Sequence, residues 1–106
     1  MTADHGEEFG EHGGRYHGTT VFDEQVRVPL VVDAPGALAP RRVARPVQLV
    51  DVLPTVLAAL GIPRPARVRG ADLGPFLAGI APTSERGFAF SETDTSEDLK
   101  KINVPT

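Results

Sequence analysis

The strongest periodic signal along the chain is Leu49, Val52, Leu53, Val56, Leu57 and Leu60, spaced so that all fall on one helical face. It predicts a helix over 49–60 that covers the face of a sheet. Pro54 is tolerated close to the helix start, where amides have no intrahelical partner. Gly61 supplies the stop, with Pro63 just beyond. Val28 to Val32 is a different pattern, a short continuous apolar run that reads as a buried strand. Pro29 is acceptable near its start, and Ala34-Pro35-Gly36 ends it. Met1-Thr2-Ala3 reads as the last residues of a buried parallel strand, for which the chain supplies few neighbours.

Between these patterns the chain is polar. Residues 4–18 form a loop dense in Gly, Glu and His, and a loop of that length without regular structure is usually functional or disordered. Glu7, Glu8 and Glu11 read as a solvated surface, and Phe9 as the anchor of the loop. A short helix is predicted over Val21 to Val26, capped by Thr19 or Thr20, with Asp23 and Glu24 at its positive end. Residues 37–46, with Arg41, Arg42 and Arg45, read as a solvated basic connector, and residues 62–69 as another. Asp51 reads as a cap or dipole partner. A short amphipathic turn follows at Ala71 to Leu77, with Leu73, Phe76 and Leu77 inward. Phe88-Ala89-Phe90 alternates as one more strand would, and the polar, acidic chain from Ser91 is expected to be poorly ordered.

Composition narrows the picture modestly. The 106 residues suffice for one small domain, and a net charge of -3 gives no reason to expect a nucleic-acid partner. There is no cysteine, which removes disulfides and thiolate metal sites. No apolar run approaches a membrane span, and no signal peptide is visible, so the compartment stays undetermined.

The candidate chemistry lies in Asp4-His5-Gly6. Carboxylate and imidazole both ligate divalent metals. Adjacent residues on a strand point to opposite faces, so both reach one ion only where the chain is turning. That suits the carboxyl end of a strand in an open α/β sheet. The same three residues also occur in ordinary polar turns. Their company distinguishes them: Glu7, Glu8, Glu11, His12, Arg15, Tyr16 and His17 follow within one Gly-rich loop.

Thr2-Ala3-Asp4-His5-Gly6-Glu7, Gly10-Glu11-His12-Gly13, Phe22-Asp23-Glu24 and Arg27-Val28-Pro29-Leu30 follow one another in an order and spacing that resemble the sulfatase family of the alkaline phosphatase superfamily. Pro46 to Asp51 with Pro54-Thr55 and Gly61 resembles the family's next helix. Gly70, Leu73, Pro75 and Gly79 resemble its closing G-x-x-L-x-P-x-x-x-G element. The resemblance implies a fragment of an alkaline-phosphatase-like α/β sandwich, with a central mixed, mostly parallel sheet and flanking helices. Residues 1–80 would be the C-terminal part of the catalytic domain, and 81–106 the start of a C-terminal subdomain or a disordered tail.

The resemblance further implies a hydrolase of sulfate, phosphate or phosphonate esters on small molecules or glycans. Asp4 and His5 would complete the site of one divalent cation, Ca2+ in the first instance with Mg2+ or Mn2+ as alternatives. His17 stands where many relatives carry a Lys or His that contacts the ester's anionic oxygens. His rather than Asn at position 5 is closer to the phosphonate monoester and phosphodiester branch, or the choline-sulfatase-like branch, than to the arylsulfatases. The family's nucleophile is a Cys, Ser or Thr in a C/S-x-P-x-R setting. None of Ser84, Ser91 and Ser96 stands in one. The expectation is a fragment that lacks the N-terminal part of its domain and is inactive alone. Two alternatives remain open, a two-metal phosphomutase or phosphatase of the same superfamily and a non-catalytic binding module.

Overall fold

The computed structural model describes residues 1–80 and 88–93. They fall into two compact units. One is Met1–Val32 joined by the described residues after Phe90, and the other is Asp33–Phe90. Residues 81–87 and 94–106, with most of the expected tail, lie outside the described residues.

In the first unit the expected buried strands are reduced to one contact. Thr2 and Leu30 form a single antiparallel bridge, not a parallel ladder. The Val31 amide donates to the Met1 carbonyl at 2.8 Å, and the Thr2 hydroxyl to the Pro29 carbonyl at 2.7 Å. Val31 and Val32 are 50% and 42% exposed, against the expected burial. A buried strand needs neighbours on both sides. Among the described residues only the Met1–Thr2 segment lies alongside it.

The short helix is present as α1, Asp23–Val26, with Asp23 and Glu24 in its first turn. Its N-cap is Phe22, with no side-chain cap. Neither threonine caps it. The Thr20 hydroxyl instead accepts from the Gln25 side-chain amide at 2.6 Å. This bond ties the loop to the buried side of α1.

In the second unit a 3-10 turn, Leu49–Asp51, runs into α2, Val52–Ala59. Asp51 has the expected capping role, from the third position of the turn, in a capping box with Gln48. It is 2% exposed, and its carboxylate accepts from the Gln48 amide at 3.0 Å and the Ala71 amide at 2.7 Å. The Thr55 hydroxyl donates to the Asp51 carbonyl at 2.6 Å and accepts from the Leu73 amide at 2.9 Å. These bonds dock α2 on the chain leading into α3, Gly74–Leu77. Leu73, at 4% exposure, is the buried apolar residue of this contact. Helix α2 ends as expected at Gly61, whose φ of 65° is the left-handed cap. The Gly61 amide donates to the Ala58 carbonyl and the Ile62 amide to the Leu57 carbonyl, closing a Schellman motif.

The apolar face of this helix differs from expectation. Leu49, Leu53, Val56 and Leu60 are 41%, 54%, 47% and 67% exposed, while Pro54 and Thr55 are buried. The described residues place no sheet on the apolar stripe, and α2 packs instead through its polar edge. The basic connector is not wholly solvated. Arg41 donates to the Phe76 carbonyl at 3.4 Å, and the Arg45 guanidinium lies 5.9 Å from the Phe76 ring centre. Residues 88–90 form no strand. The Phe88 and Phe90 rings meet edge to face at 5.0 Å, and the Phe90 amide donates to the Gln48 side chain at 3.1 Å. No helix among the described residues is long and apolar enough to cross a membrane.

Candidate functional site

The loop after Asp4 is built around Glu8. Glu8 and Tyr16 form an antiparallel bridge, exchanging backbone hydrogen bonds of 3.0 and 2.9 Å. This pinches the residues between them into a closed turn. The Glu8 side chain is not a solvated charge: the residue is 1% exposed. Its carboxylate accepts from the His12 amide at 3.1 Å, the Gly14 amide at 2.7 Å and the Gln25 side chain at 2.9 Å. Burial pushes the Glu8 carboxyl pKa up, but the Gly14 and His12 amides, Gln25 and the His12 charge together outweigh it and hold the pKa below its ordinary value. Phe9 does not anchor the loop, being 80% exposed. The anchor is the neighbouring carboxylate.

Next to this frame stand the residues singled out for chemistry. The Gly6 amide donates to the Gln25 carbonyl at 2.7 Å. A Cβ at Gly6 would overlap the Glu24 carbonyl oxygen, so glycine is required for close approach to α1. That contact sets where Asp4 and His5 leave the backbone. His5 Nδ1 lies 2.7 Å from the Gly6 carbonyl oxygen. A carbonyl only accepts, so Nδ1 carries the proton and Nε2 keeps its lone pair. His5 Nε2 is 3.8 Å from Asp4 Oδ1, close enough for one ion to lie between two such donor atoms. These two donor atoms can serve as part of a divalent-cation site, but alone they are a poor ligand set for a hard cation, which takes more oxygen ligands.

His17 is brought to the same place. Its ring stacks on that of His5 with centroids 3.6 Å apart and planes 25° apart. His17 Nδ1 lies 3.0 Å from Glu7 Oε1. Tyr16, just before it, has a φ of 71°, a left-handed conformation uncommon outside glycine. Glu7 and Glu8 point to opposite sides of one bridged segment, as neighbours in extended chain do. Glu8 supports the loop from within while Glu7 faces the site.

His12, given no role from sequence, stacks on Phe22 with centroids 3.8 Å apart and hydrogen-bonds through Nδ1 to Glu24 Oε1. Glu8, His12 and Glu24 bring ligand atoms within 4.8 Å of one another. Glu8 is already occupied by its three donors, and His12 Nδ1 and Glu24 by each other. The cluster is a hydrogen-bonded web joining the loop to α1. Of the two groupings, Asp4 and His5 have the freer donor atoms.

Comparison with known proteins identifies the family of the chain. The model of the Sulfatase family matches residues 1–62. Steryl-sulfatase of Mus musculus is 42% identical over 105 residues, covering 85% of this chain and 17% of the relative. Arylsulfatase K of Danio rerio is 34% identical over 95 residues, covering 87% of this chain and 18% of the relative. Among solved structures, the phosphonate monoester hydrolase SpPMH from Silicibacter pomeroyi superposes with a TM-score of 0.81 at 41% identity, covering 92% of this chain and 19% of that one. The chain thus spans less than a fifth of the length of these relatives. A family match over more than half its residues, together with this likeness in structure, shows that the chain belongs to the sulfatase family.

Proposed function

We propose that the chain supplies the metal-binding and anion-binding end of an ester hydrolase site, acting on sulfate, phosphate or phosphonate esters of small molecules or glycans. The observation that carries this reading is the stack of His17 on His5, with Asp4 Oδ1 3.8 Å from His5 Nε2. A carboxylate, an imidazole nitrogen and a second imidazole are thereby gathered on one exposed surface. Asp4 and His5 would hold a divalent cation, Ca2+ foremost, with Mg2+ or Mn2+ as alternatives. When bound, such an ion polarises an ester oxygen and offsets negative charge as it builds. His17 then contacts the anionic oxygens beside it, where a positioned donor acts most strongly in the transition state.

The surrounding fold in this proposal is an alkaline-phosphatase-like α/β sandwich, and its sheet would cover the apolar stripe of α2. The nucleophile and further metal ligands would come from other residues of a longer protein. These residues contain no cysteine and no serine in a C/S-x-P-x-R setting, so the 106-residue chain by itself is inactive on this reading. In the longer enzyme, His17→Ala lowers kcat/KM by about a hundredfold with metal content intact, and Asp4→Ala removes the metal. Turnover and metal analysis of the two variants provide the test. Near-normal turnover of His17→Ala would reduce that residue to a surface histidine. Retained metal in Asp4→Ala would move the cation elsewhere.

A further inference from the structure

The Glu7 carboxylate has no part in the reading above, yet it is bonded to the histidine on which that reading depends. We propose that Glu7 is a positioning residue that selects which nitrogen of His17 is presented to the substrate anion. This rests on the proposed role of His17 as the anion contact.

A carboxylate accepts hydrogen bonds, so Nδ1 of His17, 3.0 Å from Glu7 Oε1, must be the nitrogen that carries a proton. This holds whether or not the ring bears a charge. Nε2 is then the nitrogen turned to the substrate, and it donates to an anionic oxygen as the second N–H of a protonated ring. Two further features surround the ring. One face lies on His5, 3.6 Å away between centroids, and the backbone enters through Tyr16 in a left-handed conformation that side chains rarely adopt. Strain of this kind persists where surrounding contacts over-determine it, and it gathers at functional sites. His5 has a similar arrangement, with Nδ1 against the Gly6 carbonyl and Nε2 toward Asp4 Oδ1, 3.8 Å away. The two stacked rings therefore both keep Nδ1 engaged with an acceptor. A second-sphere carboxylate that fixes a ring nitrogen in this way usually has a measurable effect on the site it serves.

The tautomer can be read directly. Nitrogen-15 NMR separates protonated from unprotonated ring nitrogens, and it can be recorded on the full 106-residue chain at alkaline pH, where imidazoles are neutral. His17 is expected as the Nδ1–H form, against the Nε2–H form that a free histidine favours in water. Glu7→Gln keeps an acceptor oxygen in the same place and preserves Nδ1–H. Glu7→Ala removes the acceptor, and His17 changes to Nε2–H. His5, whose acceptor is a backbone carbonyl, stays Nδ1–H in all three proteins and reports that the loop is intact. A His17 that is already Nε2–H in the unaltered chain overturns the proposal without any variant. So does a Glu7→Ala chain whose His17 tautomer is unchanged. Turnover of His17→Ala tests the anion contact separately, so the two readings fail independently.

Discussion

The close approach at Gly6 makes the sharpest claim about a single residue. A Cβ there meets the backbone oxygen of Glu24, which cannot swing aside as a side chain would. Gly6→Ala is therefore expected to destabilise the first unit by about 1–3 kcal/mol and to loosen the loop from α1. Thermal or urea unfolding followed by circular dichroism checks it. Glu8 makes a second claim, through pH. Its folded-state pKa lies below the ordinary 4.5, so the unfolded chain binds its proton more tightly than the folded one does. The stabilisation from Glu8 is fully present above about pH 4.5. It is lost as pH falls through the lower folded-state value. Acid titration should show a loss of structure in that window, and Glu8→Gln should start less stable and remove that part of the pH dependence. An unaltered acid profile in Glu8→Gln would place the acid sensitivity in other carboxylates.

Among the elements, α2 is the one whose limits follow from local rules. Its Schellman closure depends on Gly61 at φ 65°, with no atom near a Cβ placed there. Substitution therefore acts through backbone conformation alone. Gly61→Ala should cost about 1 kcal/mol, read as a shifted urea midpoint with an unchanged slope. The short helix α1 followed a different course. Its acidic first turn was legible, but the threonine expected to cap it turned toward Gln25. A buried amide in need of an acceptor decided that contact, and the cap position fell to Phe22.

At the scale of the whole molecule, the apolar stripe of α2 is the feature without a partner among the described residues. Leu53, Val56 and Leu60 are 54%, 47% and 67% exposed, and a contiguous apolar surface favours association. The 106-residue chain should self-associate at micromolar concentration. Leu53→Lys with Val56→Lys should restore the monomer while leaving the circular dichroism spectrum in place. Sedimentation velocity of the two chains decides it. A monomeric unaltered chain would show that the stripe is covered in solution.

What the sequence determined by itself was local. Periodicity placed α2, Gly61 closed it, Asp51 completed the capping box at its 3-10 start, and the order of Asp4-His5-Gly6, Gly10 to Gly13 and Arg27 to Leu30 was enough to mark the family. Such features depend on residues near one another in the chain, so one sequence carries them whole. The tertiary structure alone decided which carboxylate supports the loop, which one holds His17, and which face of α2 is covered. Glu7 and Glu8 are the same residue type at adjacent positions, and only the bridge to Tyr16 turns one inward and the other toward His17. The buried strand expected at Val28 to Val32 failed for a related reason. Burial depends on what lies alongside, and the described residues give that segment one antiparallel contact to Thr2.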